Sequence, residues 1–307
     1  MISYLMFPHF IGAAHKGTAT NEATGYPAER MWYQNPRRLA RATGDGADWN
    51  TTFNAGTNAL FAVDTIVATS NFEHLHVQQH ASDSWGSPSV STEISFLKET
   101  IAAAGIALAG CKLTRSAGTW TPHALKAHRL RFATGGTVHP IDDNLTTKLY
   151  CQGEDISGGT GDAQILAPKK WVTITQNEYQ WIRPLIESQQ TAENYYQLGL
   201  SVGLRTEFTG LTALKPSTSI VGSDDVTRGG WRYRRVTGPA ARSWALSIYR
   251  MSAAKYEELR TQLMQQGQAP IVLIPDSTNT FDWAYVLPEL DTRWDAKQTV
   301  IRLNEVV

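Results

Sequence analysis

Residues 242–274 decide the fold, and they read RSWALSIYR at 242–250, MSAAKYEELRTQLMQQG at 251–267 and QAPIVLI at 268–274. In the first segment, apolar residues alternate with small or polar ones, which is typical of a half-buried β-strand. In the second, Ser252 is placed as an N-cap and Gly267 as a C-terminal stop for a helix over Ala253–Gln266. The third is an apolar run of strand length. Together they predict a β-sheet that carries one short helix.

One face of this helix is apolar, because Tyr256, Leu259 and Leu263 recur at helical spacing. We therefore expect the helix to pack on the C-terminal sheet. Further strands are indicated at residues 62–68, 75–78, 171–174, 283–287 and 299–303, and a second helix is predicted within Glu93–Ala109. Because strands outnumber helices, the predicted fold class is all-β, with two β-sandwich or jelly-roll units.

The length of 307 residues favours more than one domain. We expect an N-terminal strand and extended arm over residues 1–31, a carbohydrate-binding-like β-sandwich over 32–193, and a second, belt-type β-sandwich over 194–307. The arm is rich in small polar residues and in glycine and proline, which favour irregular structure. Its short apolar start is able to add a strand to the sheet edge of another subunit.

The composition excludes several classes of partner. Charged residues make up 18% of the chain and the formal net charge is zero, whereas a nucleic-acid-binding protein usually has a basic excess. No apolar stretch is long enough to span a membrane, and no secretory signal is expected at the N-terminus. Low charge and the presence of 10 Trp and 11 Tyr instead favour assembly through apolar surfaces.

No residue pattern predicts catalysis, a metal or another cofactor. His74 and His76 would share one face of a strand near His80, but no carboxylate or cysteine is spaced to complete a metal site. Ser201 lies in a Gly-x-Ser-x-Gly pattern that no helix pattern follows, which argues against a hydrolase nucleophile. Cys111 and Cys151 are expected to be buried free thiols, with a single disulfide as the alternative.

Several short motifs resemble a family of siphophage tail-tip proteins, the distal-tail type. These are Asn35-Pro36, Val63-Asp64-Thr65-Ile66 with Asn71, the run 198–203, and the C-terminal unit from Trp244 to Ile274. The resemblance implies a non-enzymatic virion protein at the tail tip. It would form a baseplate ring, as a hexamer or trimer, that links the tail tube to tip or hub proteins. In the arm and just after it, we expect interface residues at Tyr4, Phe7, Phe10 and Trp32.

A second function is compatible with the first. The N-terminal β-unit is also expected to bind a glycan on the host surface by stacking of loop tryptophans, since aromatic rings are common sugar platforms. The candidate stacking residues are Trp85, Trp120 and Trp171. A hydrolase on a β-scaffold is the third hypothesis, and the absence of a recognisable catalytic pattern disfavours it.

Overall fold

The structure is a computed structural model that describes residues 2–33, 39–44, 46–56, 59–134, 138–187, 195–209, 211–214, 222–226, 232–236, 242–249, 252–266, 269–290 and 298–306. The described part of the chain contains 25 strands, one α-helix and three short 3-10 helices, at Ala13–His15, Ala28–Trp32 and Ala103–Gly105. The all-β prediction is confirmed. Helix α1 spans Ala253–Gln266, with the bounds that its capping residues predict.

The first half of the chain supplies most of the strands. They are β1 (Ile2–Pro8), β2 (Lys16–Ala19), β3 (Ala40–Arg41), β4 (Trp49–Asn54), β5 (Phe61–Ser70), β6 (His74–His80), β7 (Val90–Ser95), β8 (Leu97–Ile101), β9 (Ile106–Ala109), β10 (Lys112–Arg115), β11 (Arg129–Thr134), β12 (Val138–Pro140), β13 (Asp143–Asn144) and β14 (Lys148–Tyr150).

The remaining strands follow in the second half of the chain. They are β15 (Thr160–Leu166), β16 (Lys169–Tyr179), β17 (Trp181–Ile186), β18 (Gln197–Thr209), β19 (Leu211–Leu214), β20 (Gly222–Val226), β21 (Arg232–Val236), β22 (Ser243–Tyr249), β23 (Ile271–Ile274), β24 (Ala284–Leu290) and β25 (Gln298–Glu305). Strands β20 and β21 pair with each other as a hairpin.

A ten-stranded antiparallel sheet organises the molecule. Its order is β16-β5-β18-β1-β23-β24-β25-β22-β19, with β3 also paired to β18. Strands from both predicted sandwiches therefore share one sheet. The predicted boundary at residue 193 lies within residues 188–194, outside the described residues. Some neighbouring strands of this antiparallel sheet, such as β1 and β18, lie far apart in the sequence, so the sheet forms by long-range pairing.

The described residues form four hydrophobic cores, one of which holds Met6, Trp171 and Tyr285 on the face of the large sheet opposite to α1. Toward one end, β5 and β18 share a core with a second sheet of order β2-β4-β17-β6-β7, which forms a sandwich. Toward the other end, the apolar face of α1 packs on β1, β22, β23 and β25. A smaller sandwich of two four-stranded sheets is inserted between β7 and β16, and it encloses its own core.

The N-terminal segment folds onto its own chain, so the prediction of an extended arm is wrong. β1 lies between β18 and β23 and is hydrogen-bonded on both edges, which leaves no edge to donate to another subunit. Further along, β2 pairs with β4, and Lys16 forms an ion pair with Glu22. The apolar start of the chain was interpreted as an intermolecular strand, whereas its partners lie about 200 residues away in the same chain.

The helix predicted within Glu93–Ala109 is also wrong. This region forms β7, β8 and β9, with a 3-10 turn between the last two. Strand β8 pairs with β15 through tertiary contacts that the local sequence does not reveal. The apolar residues of this region do recur at helical spacing. The local preference for helix is weak, however, and strand pairing with distant residues outweighs it.

Candidate functional site

The Gly-x-Ser-x-Gly run forms the middle of β18 and has a structural role. A Cβ on Gly203 would lie 2.2 Å from the Phe7 carbonyl oxygen, so glycine permits close pairing with β1. Ser201 is 1% exposed, and its Oγ lies 3.0 Å from the Tyr285 hydroxyl. Burial raises the pKa of Tyr285 to about 12, so this hydroxyl stays protonated at neutral pH. The pair is a satisfied buried hydrogen bond, far from the geometry of an activated nucleophile.

The histidines and cysteines do not converge on a metal. Among the described residues, no group of three His, Cys, Asp or Glu side chains is placed to hold an ion. His74 instead lies 2.8 Å from a carboxylate oxygen of Glu93. Both cysteines are free; Cys151 is buried, as expected, whereas Cys111 is partly exposed. Burial raises the pKa of Cys151 to about 12, which makes this thiol unreactive.

A groove lined by both apolar and polar side chains lies where β1 ends, and we call it the terminal groove. It has a volume of about 200 Å³ and is lined by Phe7, Pro8, His9, Leu204, Thr206, Gln262, Gln265 and Gln266. The chain is held firmly here, because the His9 amide donates to Val202 O and the His9 Nε2–H donates to Ala62 O over 2.7 Å. Helix α1 closes the other side, where Gln266 Nε2 donates to Pro8 O.

Phe10 follows directly after this anchored turn and is 81% exposed, the largest exposure among the described large hydrophobic residues. Leu60 and Leu204 are also exposed, at 52% and 37%. Apart from His9, none of the residues that line the terminal groove is ionisable. The terminal groove is thus nearly uncharged, with the apolar side chains of Phe7, Pro8 and Leu204 beside glutamines. Low charge is typical of the centre of a protein interface.

The structure separates the four predicted interface residues. Phe7 lines the terminal groove and Phe10 lies next to it in sequence. Tyr4 lies on the opposite face of β1, with its ring 6.0 Å from that of Trp171. Trp32 is 3% exposed and packs edge-on against Phe53, so the prediction that it is an interface residue is contradicted by its burial. Sequence alternation along β1 assigns Tyr4 and Phe7 to different faces, a signal that the prediction did not use.

A second surface lies on the outer face of the five-stranded sheet. Ile182, Pro184 and Ile186 of β17 point into the core, so the alternate residues Trp181 and Arg183 point outward. Trp181 is paired across the strands with His80. The His80 ring lies 6.2 Å from the ring of Trp85. Trp181, His80 and Trp85 are all partly exposed, and we call these three residues the aromatic row.

Polar side chains hold Trp85 in place. The Arg183 guanidinium lies 4.6 Å from the Trp85 ring centroid, and Arg183 Nε donates to Gln78 Oε1 over 2.8 Å. The Trp85 indole N–H donates to Asp83 over 2.6 Å. Desolvation of Arg183 lowers the pKa of its guanidinium, although the nearby Asp83 opposes that shift. Because these contacts already hold the Trp85 ring, little side-chain conformational entropy is lost when a ligand stacks on it.

Of the three tryptophans predicted to stack on sugars, only Trp85 lies at the surface. Trp171 is in β16, is 3% exposed, and donates its indole N–H to Asn279 O. Trp120 is 8% exposed and donates to Glu99. Both are therefore core residues, and their assignment as sugar-stacking residues is wrong. Sequence analysis missed Trp181, which the alternation of β17 places on the open face.

No helix in the described part of the chain is long and apolar enough to cross a membrane. No protein-family model matches the chain, and no curated protein matches it. A solved structure with some similarity is chitosan-binding module 1 of a chitosanase/glucanase from Paenibacillus sp. IK-5. The TM-score is 0.29 at 13% identity, over 63% of this chain and 98% of that module.

Proposed function

We propose that this chain is a structural, ring-forming component of a siphophage tail tip, located in the virion and joining the tail tube to tip or hub proteins. The observation that carries the proposal is the terminal groove with Phe10 exposed beside it. Burying a phenylalanine side chain is worth about 1.5–3 kcal/mol, so an exposed one that follows directly on the groove residue His9 favours association.

The partner at this surface is a second copy of the same chain. The groove is lined by phenylalanine, proline, leucine, threonine, histidine and three glutamine side chains, which fit an uncharged partner rather than a charged one. Phe10 is an exposed, uncharged side chain that the groove of a neighbouring copy can accept, and a closed ring needs only such a contact repeated between neighbours. Strands β16 and β19, which end the ten-stranded sheet, provide further edges at which copies can meet.

Replacing Phe10 with serine is expected to shift the protein from a ring toward monomers. Loss of one buried phenylalanine per interface weakens each contact by about 3–5 kcal/mol, because the transfer energy and a cavity term add. Mass photometry at several protein concentrations measures the shift. Leu145→Ser is the matched control, since Leu145 is exposed by 44% on the inserted sandwich, and this variant should assemble normally.

Two outcomes would count against this function. A wild-type protein that stays monomeric at all concentrations, and that fails to bind purified tail tubes, contradicts the scaffold proposal. Rings that survive Phe10→Ser unchanged would show that copies meet elsewhere, such as at the sheet edges.

The aromatic row supports glycan binding as a second candidate function. Trp181 and His80 are cross-strand partners on the open face of the sheet, the Trp85 ring lies beside His80, and Arg183 and Asp83 provide hydrogen-bonding groups next to Trp85. Stacked rings with adjoining polar groups are the usual way in which proteins hold sugars. This activity is compatible with a tail tip, where attachment to a host surface takes place.

Trp181→Ala is expected to weaken binding to any glycan captured on an array by about tenfold, because one stacking contact is lost. Trp85→Ala should have a similar effect. Tyr33→Ala is the control, since Tyr33 is 43% exposed and lies outside the aromatic row. A glycan that binds both tryptophan variants as tightly as the wild type would exclude the aromatic row as its site.

A further inference from the structure

A cluster of positive charge lies where the inserted sandwich meets the ten-stranded sheet. Lys98 comes from β8 of the inserted sandwich and Lys170 from β16 of the large sheet. Their ammonium nitrogens lie 5.7 Å and 5.1 Å from the centroid of the same ring, that of Phe281. Two units of the fold therefore bring two cations to one aromatic side chain.

The carboxylates nearby are already paired with other cations. Glu99, which follows Lys98 in β8 and attracts its ammonium, pairs with Arg115 over 2.9 Å. Asp282 lies 3.1 Å from Arg242 and 3.6 Å from Lys169. Glu305 pairs with Arg242 over 3.0 Å. Among the described residues, no carboxylate forms an ion pair with Lys98 or Lys170. Both ammonium groups thus lie beside Phe281 without an ion-paired carboxylate, so an anion bound near this ring is attracted by two positive charges.

His128 makes the cluster more than a chance grouping of surface lysines. Its side chain is buried, with a residue exposure of 9%, and its Nε2 accepts a hydrogen bond from the Lys98 ammonium over 3.2 Å. This geometry requires a neutral imidazole. Burial, with the charges of Lys98 and Lys169, lowers the pKa of His128 to about 4, so the ring is neutral near pH 7. Its Nδ1 faces the Lys126 carbonyl at 3.4 Å.

We propose that Lys98 and Lys170, with the neutral His128 ring holding the Lys98 ammonium, form a binding site for a tetrahedral oxyanion, a sulfate or phosphate group. Lysine ammonium groups act as point charges that suit such anions. Phe281 adds an apolar ring against which the carrier of the anion can lie. The source is either the free ion or the same group carried on a polymer such as a charged polysaccharide. This site is independent of the terminal groove and of the aromatic row.

The pKa of His128 is the reporter for the test, measured by NMR titration of the full chain. Sulfate is the first probe because its charge is constant between pH 3 and 8. A bound anion stabilises the imidazolium form, so the pKa of His128 should rise by about one unit in a saturable manner. By the same linkage, sulfate should bind more tightly as the pH falls through the pKa of His128.

Chloride at equal ionic strength separates anion binding from charge screening. Screening also changes the pKa of His128, but the change does not saturate with salt concentration. In the double variant Lys98→Met with Lys170→Met, sulfate and chloride should change the pKa of His128 equally. In the control Lys255→Met on α1, sulfate should still raise this pKa more than chloride does. Both variants replace partly or largely exposed side chains, and thermal unfolding checks that they fold. The same His128 titration is repeated with dextran sulfate, with neutral dextran, and with inorganic phosphate and sulfate. Comparing these responses distinguishes an anionic polymer from the free ion.

Equal responses of His128 to sulfate and chloride would overturn the proposal. So would a sulfate response that persists in the double variant. A response to dextran sulfate at concentrations at least tenfold below those of free sulfate assigns the site to an anionic polymer. Equal potency of the two per sulfate group assigns it to the free ion.

Discussion

Removing residues 1–24 is expected to prevent the chain from folding. The deletion takes β1 out of the middle of the ten-stranded sheet and exposes the facing edges of β18 and β23. It also removes Leu5 and Met6, which are 1% and 0% exposed and belong to cores on opposite faces of the sheet. Domains are stable by only about 5–15 kcal/mol, and the loss of a central strand exceeds that margin. Circular dichroism and thermal unfolding should show no cooperative transition.

A point variant tests the same role without shortening the chain. Leu5→Asp places a carboxylate in the core beneath α1, at a cost of about 5 kcal/mol or more in the free energy of unfolding. Ile2→Asp is the matched control, since Ile2 belongs to the same strand and is 39% exposed. Its effect should stay below about 1 kcal/mol. A folded, cooperative deletion protein would show that β1 contributes little to the sheet, contrary to its pairing.

Leu259→Ala is expected to lower the free energy of unfolding by about 2–5 kcal/mol. Leu259 is 3% exposed and lies on the face of α1 that contacts the sheet, in one cluster with Trp244 and Leu303. Truncation removes buried apolar contacts and leaves a cavity that the surrounding strands fill only in part. Urea unfolding, with fluorescence and circular dichroism followed together, measures the change.

Met264 provides the control on the same helix. It is 67% exposed, so Met264→Ala should change the free energy of unfolding by less than about 0.5 kcal/mol. A loss below about 0.5 kcal/mol for Leu259→Ala would mean that the apolar face of α1 is not packed on the sheet. Because alanine favours helix, neither variant lowers the intrinsic stability of the helix.

The all-β class and the position of α1 follow from the sequence alone. Ser252 caps the start of the helix, since its Oγ accepts from the Lys255 amide, while Gly267 lies outside the described residues; Tyr256, Leu259 and Leu263 are buried as their spacing predicts. These features depend on local chemistry, namely caps and periodicity within a few residues. The predicted cost of truncating Leu259 follows from the same local pattern.

The position of the first residues in the sheet depends on long-range contacts, and so does the choice of aromatic residues that reach the surface. β1 inserts between strands that begin some 195 and 269 residues further along the chain, so no local pattern predicts its partners. Trp120, Trp171 and Trp181 are chemically alike, yet two are buried and one lies on an open face. The approach of Lys98 and Lys170 to Phe281 is likewise not predictable from the sequence, because it depends on two parts of the fold packing together there. Burial and proximity result from pairing between distant parts of the chain. That pairing is selected by the free energy of the whole fold and not by any local segment.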